Sequence, residues 1–169
     1  MDEKFSAGGN SPKKTQSTLW EFALAAYAEP IIQRHCLYLQ DHYQMDVNML
    51  LAAGFCSHQG RVWTDLLCRE LIALAAPIRE EYILPLRAMR RQTEGGGGLY
   101  DALKAAELEA ERMEIEVLAK RIATITATAE SDVNYLDAVL SYAALYADVR
   151  QGDVLGKCVE MAANFAEIS

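Results

Sequence analysis

Three helix starts fall within TLWEFALAAYAEPIIQRHCLYLQDHYQMDVNMLLAAGF, residues 18–55, and their closeness limits what the chain can become. Thr18 followed by Glu21 is a capping-box pattern, in which hydroxyl and carboxylate each satisfy a backbone N–H of the first turn. Behind it Leu19, Phe22, Ala23, Ala26 and Tyr27 recur on one helical face. Pro30 suits the first position of a second helix, where no N–H is needed, and Ile32, Cys36, Leu39 and Tyr43 form its stripe. Asp46 is placed to cap a third helix, which runs through Val47, Leu50, Leu51 and Gly54 to a stop at Gly60. Links this short make neighbouring helices turn back on each other, as in compact bundles.

The pattern stays helical downstream. Thr64 or Asp65 opens a fourth helix with Leu67, Leu71 and Leu74 on one face, and Pro77 ends or kinks it. In IREEYILPLRAMRRQTE the spacing aligns Ile78, Tyr82, Leu86 and Met89, with a second kink at Pro85. Arg87, Arg90 and Arg91 gather at the end of that segment, where cations complement the helix dipole. The run Gly95 to Gly98 then breaks the pattern as a hinge or loop; with no preceding strand and no following Lys-Ser/Thr, it is no phosphate cradle. Beyond it lies the longest helical pattern, roughly 27 residues or about 40 Å at 1.5 Å per residue. Its heptad-like stripe is Leu99, Leu103, Ala106, Ala110, Met113 and Val117. Thr124, Thr126 and Thr128 have no partner strand and read as its fraying end. Asp132 caps a seventh helix with Leu136, Val139, Leu140 and Ala143 inward, and Asp153 an eighth with Leu155, Val159, Ala162 and Ala166 inward. The expected fold is all-α, a compact helical bundle of about seven to eight helices with one long helix after a glycine loop. Residues 17–169 are expected to form one domain, with the glycine hinge at 95–98, and the aperiodic residues 1–16 a disordered tail.

At 169 residues the chain is long enough to bury about two thirds of its unfolded surface without disulfides. Cys36, Cys56, Cys68 and Cys158 show no CxxC pairing, and three of them sit in apolar helical patterns, which points to reduced, structural thiols. With no apolar leader region and no window near about 18 uninterrupted apolar residues, a cytoplasmic protein without membrane contact is expected. The net charge of −8 is uneven: residues 1–98 carry 10 basic and 11 acidic side chains, residues 99–169 carry 6 and 13. Such a balance argues against nucleic acid or anionic lipid as a partner.

The blocks LWEFALAAYAEP, CLYLQDHYQMDVNMLL, LPLRAMRR and LKAAELEAERMEIEVL, in that order, resemble the domain of unknown function 2390 family of small proteobacterial proteins. The resemblance covers roughly residues 18–118. It implies a bacterial helical domain with signature positions at Trp20, Tyr27, Cys36, Leu39, Gln40, Asp41, Asp46, Val47, Asn48, Pro85, Leu86, Arg87 and Arg91. It brings no established activity with it. This chain has Ile78 where members often carry a tryptophan ahead of the LPLR block, and the segment after about residue 120 lies outside the resemblance.

No motif demands a particular chemistry. Gln40, Asp41 and His42 with Asp46 and Asn48 form a polar corner between the second and third helices, where capping and loop satisfaction are the commoner roles. His35 and His42 share a helix face beside Cys36, but no set of His and Cys reaches the four ligands of a zinc site, so no metal or other cofactor is expected. Glu-x-x-His pairs of the di-iron bundles are absent as well. Glu107, Glu111 and Glu114 fall on one face of the long helix, which is expected to be its solvated side. An antiparallel hairpin across the glycine loop would bring Arg87, Arg90 and Arg91 to Glu107, Glu109 and Glu111 as exposed pairs.

Two functions fit. The first is a non-catalytic module that binds a protein partner or self-associates into a homo-oligomer through a helix groove and exposed aromatics. The second is a small-ligand- or metal-binding helical protein, an enzyme included, with a pocket near Trp20, His35, Gln40, Asp41 and Asn48. The ligand or partner surface is expected among Trp20, Tyr27, His35, Gln40, Asp41, Asn48, Arg87 and Arg91, with no catalytic and no metal-ligating residue. Convergence of several of these polar side chains on one concave apolar cavity would favour the second function.

Overall fold

The computed structural model describes residues 17–93, 95–129 and 133–169. The tail expected over residues 1–16 and the cap expected at Asp132 lie outside them. The fold is all-α: α1 (Leu19–Ala28), α2 (Pro30–Tyr43), α3 (Val47–His58), α4 (Asp65–Ile78), a π-helical turn (Arg79–Ile83), α5 (Leu84–Gln92), α6 (Gly98–Ala123), α7 (Tyr135–Ala143) and α8 (Gly152–Ala166). The described residues form no strand, only an isolated antiparallel bridge between Arg61 and Ala127.

The helix α3 is the axis of the fold. Every residue from Asn48 to Ser57 is buried, so it has no polar face, and α1, α2, α6, α7 and α8 pack around it. Gly54 is required there because a Cβ would come within 2.8 Å of the Phe165 ring on α8. The expected starts of the first four helices hold. Thr18 and Glu21 form the reciprocal capping box, Pro30 opens α2, Asp46 accepts the Asn48 N–H at 3.0 Å, and Thr64 accepts the Leu67 N–H at 3.1 Å. Between α2 and α3 the chain turns at Gln44, which adopts a left-handed φ of 59°.

The two prolines act differently from a simple kink. Pro77 sits in the last turn of α4, and helix continues through the π turn into α5, with Leu84 N–H donating to Arg79 C=O. A π turn inserts one extra residue, which rotates everything after it by about 100° relative to a 3.6-residue period. The expected stripe of Ile78, Tyr82, Leu86 and Met89 is therefore not the inward face. Tyr82 is 49% exposed and Ile83 beside it 1%.

Similar frame shifts occur where two periodic sets overlap. On α6 the heptad-like stripe is kept only at Ala110: Leu99, Ala106 and Met113 are exposed, and Glu107, Glu114, Ile115, Leu118 and Ile122 complete the buried set. On α8 the buried set is Val154, Cys158, Met161, Ala162 and Phe165, one residue away from most of the expected one. Its N-cap is Gln151, and Asp153 instead accepts the Tyr38 hydroxyl at 2.6 Å. Asn134 caps α7, accepting from Leu136 N–H and Asp137 N–H. Leu74 on α4 is exposed, with Ala75 taking its place inside. Thr128, expected in the fraying end of α6, lies past the helix and donates its N–H to Gly60 C=O at 2.7 Å, next to the Arg61 and Ala127 bridge.

Candidate ligand cavity

A cavity of about 340 Å³ opens between α1, the junction of α2 and α3, α5 and α6. Its walls are largely apolar, with Trp20 and Ala23 from α1, Leu51 from α3, Ile83 from the π turn and Ile115 from α6. Leu24, Leu37 and Leu108 line it too while remaining exposed, so the mouth is apolar as well as open. Trp20 is fixed from outside by the Arg112 guanidinium, 5.3 Å from its ring centroid.

The polar end is built on Asp46 and Asn48, which the α3 N-terminus carries inward. Asn48 Nδ2 donates to Glu114 Oε2 at 2.5 Å, and the Asp46 backbone N–H donates to the Tyr142 hydroxyl at 2.8 Å. Arg79, the first residue of the π turn, reaches Asp46 Oδ1 at 3.2 Å and the Gln44 carbonyl at 3.3 Å. Asp46 Oδ2 and Glu114 Oε1 have no partner outside the pair, and the two carboxyl groups share a hydrogen bond that needs a proton on one of them. Glu114 is 0% exposed. Burial first, and then the charge and hydrogen-bonding proximity of Asp46, push its carboxyl up to about 9, so it is protonated at neutral pH. The phenol of Tyr27, raised to about 12 chiefly by burial, is neutral there too.

Beside this pair runs a ladder of ion pairs between α5 and α6. Arg87 Nε bonds Glu107 at 2.7 Å and its Nη2 bonds Glu111 at 2.9 Å, while Arg90 also bonds Glu107. Burial works to raise the Glu107 pKa, but the hydrogen bonds from Arg90 and Arg87 outweigh it and hold the carboxyl below its ordinary value. Glu111 stands above its ordinary value because Arg87 offsets its desolvation only in part. The Glu107, Glu111 and Glu114 face expected to be solvated is thus turned inward. For Glu107 and Glu111 the cause is the row of guanidinium groups delivered by α5, since a buried carboxylate is tolerated when it is paired, whereas Glu114 is buried as the neutral acid.

Five of the eight expected surface residues line the cavity: Trp20, Tyr27, Gln40, Asn48 and Arg87. The other three stand elsewhere. His35 faces α8, its Nε2 2.6 Å from Glu160 Oε2. Asp41 and Arg91 bond each other at 3.0 Å, both half-exposed, on a second and smaller depression. The expected exposed pairing of the arginines with the long helix is corrected for Arg87, whose side chain is only 11% exposed, against 57% for Arg91. Sequence reasoning missed Glu114 and Arg79 as site residues. The available signal was the spacing of three glutamates opposite three arginines across one glycine loop. Among the described residues no cluster of three or more His, Cys, Asp or Glu could hold a metal ion.

Fold and site together define a helical bundle with a solvent-open apolar cavity that ends in a buried carboxyl pair. The chain belongs to the family described as protein of unknown function (DUF2390), whose model matches residues 18–118. Every residue lining the cavity, from Trp20 to Ile115, lies inside that span, and α7 and α8 lie beyond it. No curated protein and no solved structure matches the chain.

Proposed function

We propose that this protein binds a small molecule in the cavity between α1, α3, α5 and α6. The observation that carries the reading is the convergence of Gln40, Asp46, Asn48 and Glu114 on one largely apolar hollow. A cavity of about 340 Å³ falls at the small end of ligand pockets. The setting proposed is a bacterial cytoplasm. All four cysteines are free and buried, as a reducing compartment allows, and no helix among the described residues is long and apolar enough to cross a membrane.

The reading as a docking module for a partner protein or a second copy rests on the exposed Leu24, Leu37 and Leu108 at the mouth. It stands second because surface docking gives no use to the polar side chains that converge inside the cavity. One experiment separates the two. Protein purified natively from its own host is denatured, and the released small molecules are compared by mass spectrometry with those from Val47→Phe, which narrows the cavity. A compound near one per chain, absent from the variant, supports the ligand reading. No such compound, with a native mass above that of one chain, favours docking.

A further inference from the structure

The charged groups inside the cavity satisfy one another. Arg87 and Arg90 hold Glu107 and Glu111, Arg79 holds Asp46, and the neutral acid of Glu114 is bonded to Asn48 and shares a hydrogen bond with Asp46. Tyr27 and Gln40 on the wall are neutral groups that donate and accept, so they select no charge. What the interior offers a ligand is therefore its apolar surface, from Trp20, Leu51, Ile83 and Ile115.

Lys104 is different. It stands exposed in the second turn of α6 and lines the cavity one turn before the exposed Leu108, so its ammonium borders the apolar mouth. No carboxylate of the described residues forms an ion pair with it. With Glu114 neutral, Arg79, Arg87, Arg90 and Lys104 set four positive charges around the cavity against three on Asp46, Glu107 and Glu111. The surplus of one cation lies at the mouth, in a chain whose net charge is −8.

We propose that the cavity takes a small amphiphile with an apolar tail and a single carboxylate, the tail lying between α1, α3 and α6 and the head at the mouth on Lys104. The proposal rests on the small-ligand reading of the same cavity. A lysine suits this place, because its methylenes cover apolar surface while the ammonium stays in water. The carboxylate then pairs without the full desolvation that a buried ion pair costs. Placed deeper, it would meet Glu107 and Glu111, whose cations are already bonded. A phosphate monoester carries more charge than the surplus matches, and an amine is repelled by it.

The test uses three probes of one chain length, octanoate, 1-octanol and n-octylamine, titrated calorimetrically into the intact protein at neutral pH and low salt. Octanoate should bind about three- to fivefold tighter than octanol, the size that an exposed ion pair allows, with octylamine weakest. Salt at about 1 M should close the gap between octanoate and octanol. Lys104→Met should bring octanoate to the level of octanol and leave octanol unchanged. Lys120→Met, the same change of charge on α6 but outside the cavity, should keep the octanoate preference. Val47→Phe should weaken all three probes by narrowing the cavity. Leu108→Glu, at the exposed mouth, should weaken octanoate more than octanol, and it serves if Val47→Phe does not fold. The proposal is overturned if octanol or octylamine binds as tightly as octanoate, if Lys104→Met keeps the preference, if Lys120→Met removes it too, or if no probe binds. Equal binding of all three that Val47→Phe abolishes would overturn the carboxylate and leave the ligand reading standing. If no probe binds, a compound extracted from the native protein would still uphold the cavity as a ligand site.

Discussion

Asn48 Nδ2 and Glu114 Oε2, 2.5 Å apart, join the first turn of α3 to the middle of α6. The bond gives Glu114 its donor and closes the polar end of the cavity. Asn48→Ala leaves that oxygen without a partner in a buried site and should cost about 1–3 kcal/mol in urea unfolding. An unchanged midpoint would show that the carboxyl is satisfied some other way.

The same glutamate sets a pH dependence. Its folded pKa is raised from the ordinary 4.5 to about 9, so between those values the folded protein holds a proton that the unfolded chain has released. The stabilising contribution is full below pH 4.5 and falls as pH rises toward 9, with a slope on the order of 1 kcal/mol per unit at most. Glu114→Gln, neutral throughout, should flatten this part of the profile and gain on the native protein as pH climbs from 5 to 9. Thermal midpoints across that range check it, and parallel profiles for the two proteins would refute it.

Arg87 and Arg91 stand one helical turn apart on α5 and should behave differently. Arg87→Ala takes the partner from Glu111 and leaves the buried Glu107 to Arg90 alone, and is expected to cost about 3 kcal/mol. Arg91→Ala removes a half-exposed pair with Asp41 and should cost about 0–1 kcal/mol. Denaturant unfolding of the two single variants measures the contrast. Equal losses would mean that the α5 and α6 ladder contributes no more than a surface pair.

Gly54 lies against the Phe165 ring, where an added Cβ would come within 2.8 Å. Gly54→Ala raises helix propensity yet overpacks the contact between α3 and α8, and a net loss of about 1–3 kcal/mol is expected. Gly54→Ala combined with Phe165→Leu should recover part of it. If Gly54→Ala alone stabilises the protein, propensity outweighs packing at that contact.

Helix starts were readable in residues 18–64 because caps are local. Thr18 with Glu21, Pro30, Asp46 and Thr64 need only their own first turn to act, and each acts as its type suggests. The family resemblance over residues 18–118 was legible for the same reason, carried by contiguous blocks. Facing was not local. The π turn at Arg79–Ile83 rotates α5 by one residue, and no sequence period announces an inserted residue. On α6 two stripes of helical spacing compete, one of Leu and Met and one of Glu, and hydrophobicity alone chooses the first. Only the tertiary structure brings Arg87 and Arg90 against the second, and paired charge lowers the cost of burying carboxylates enough to reverse that choice. The chain by itself determined where its helices begin; the faces they bury, and with them the carboxyl pair of Asp46 and Glu114, were decided by which neighbours arrive with compensating charge.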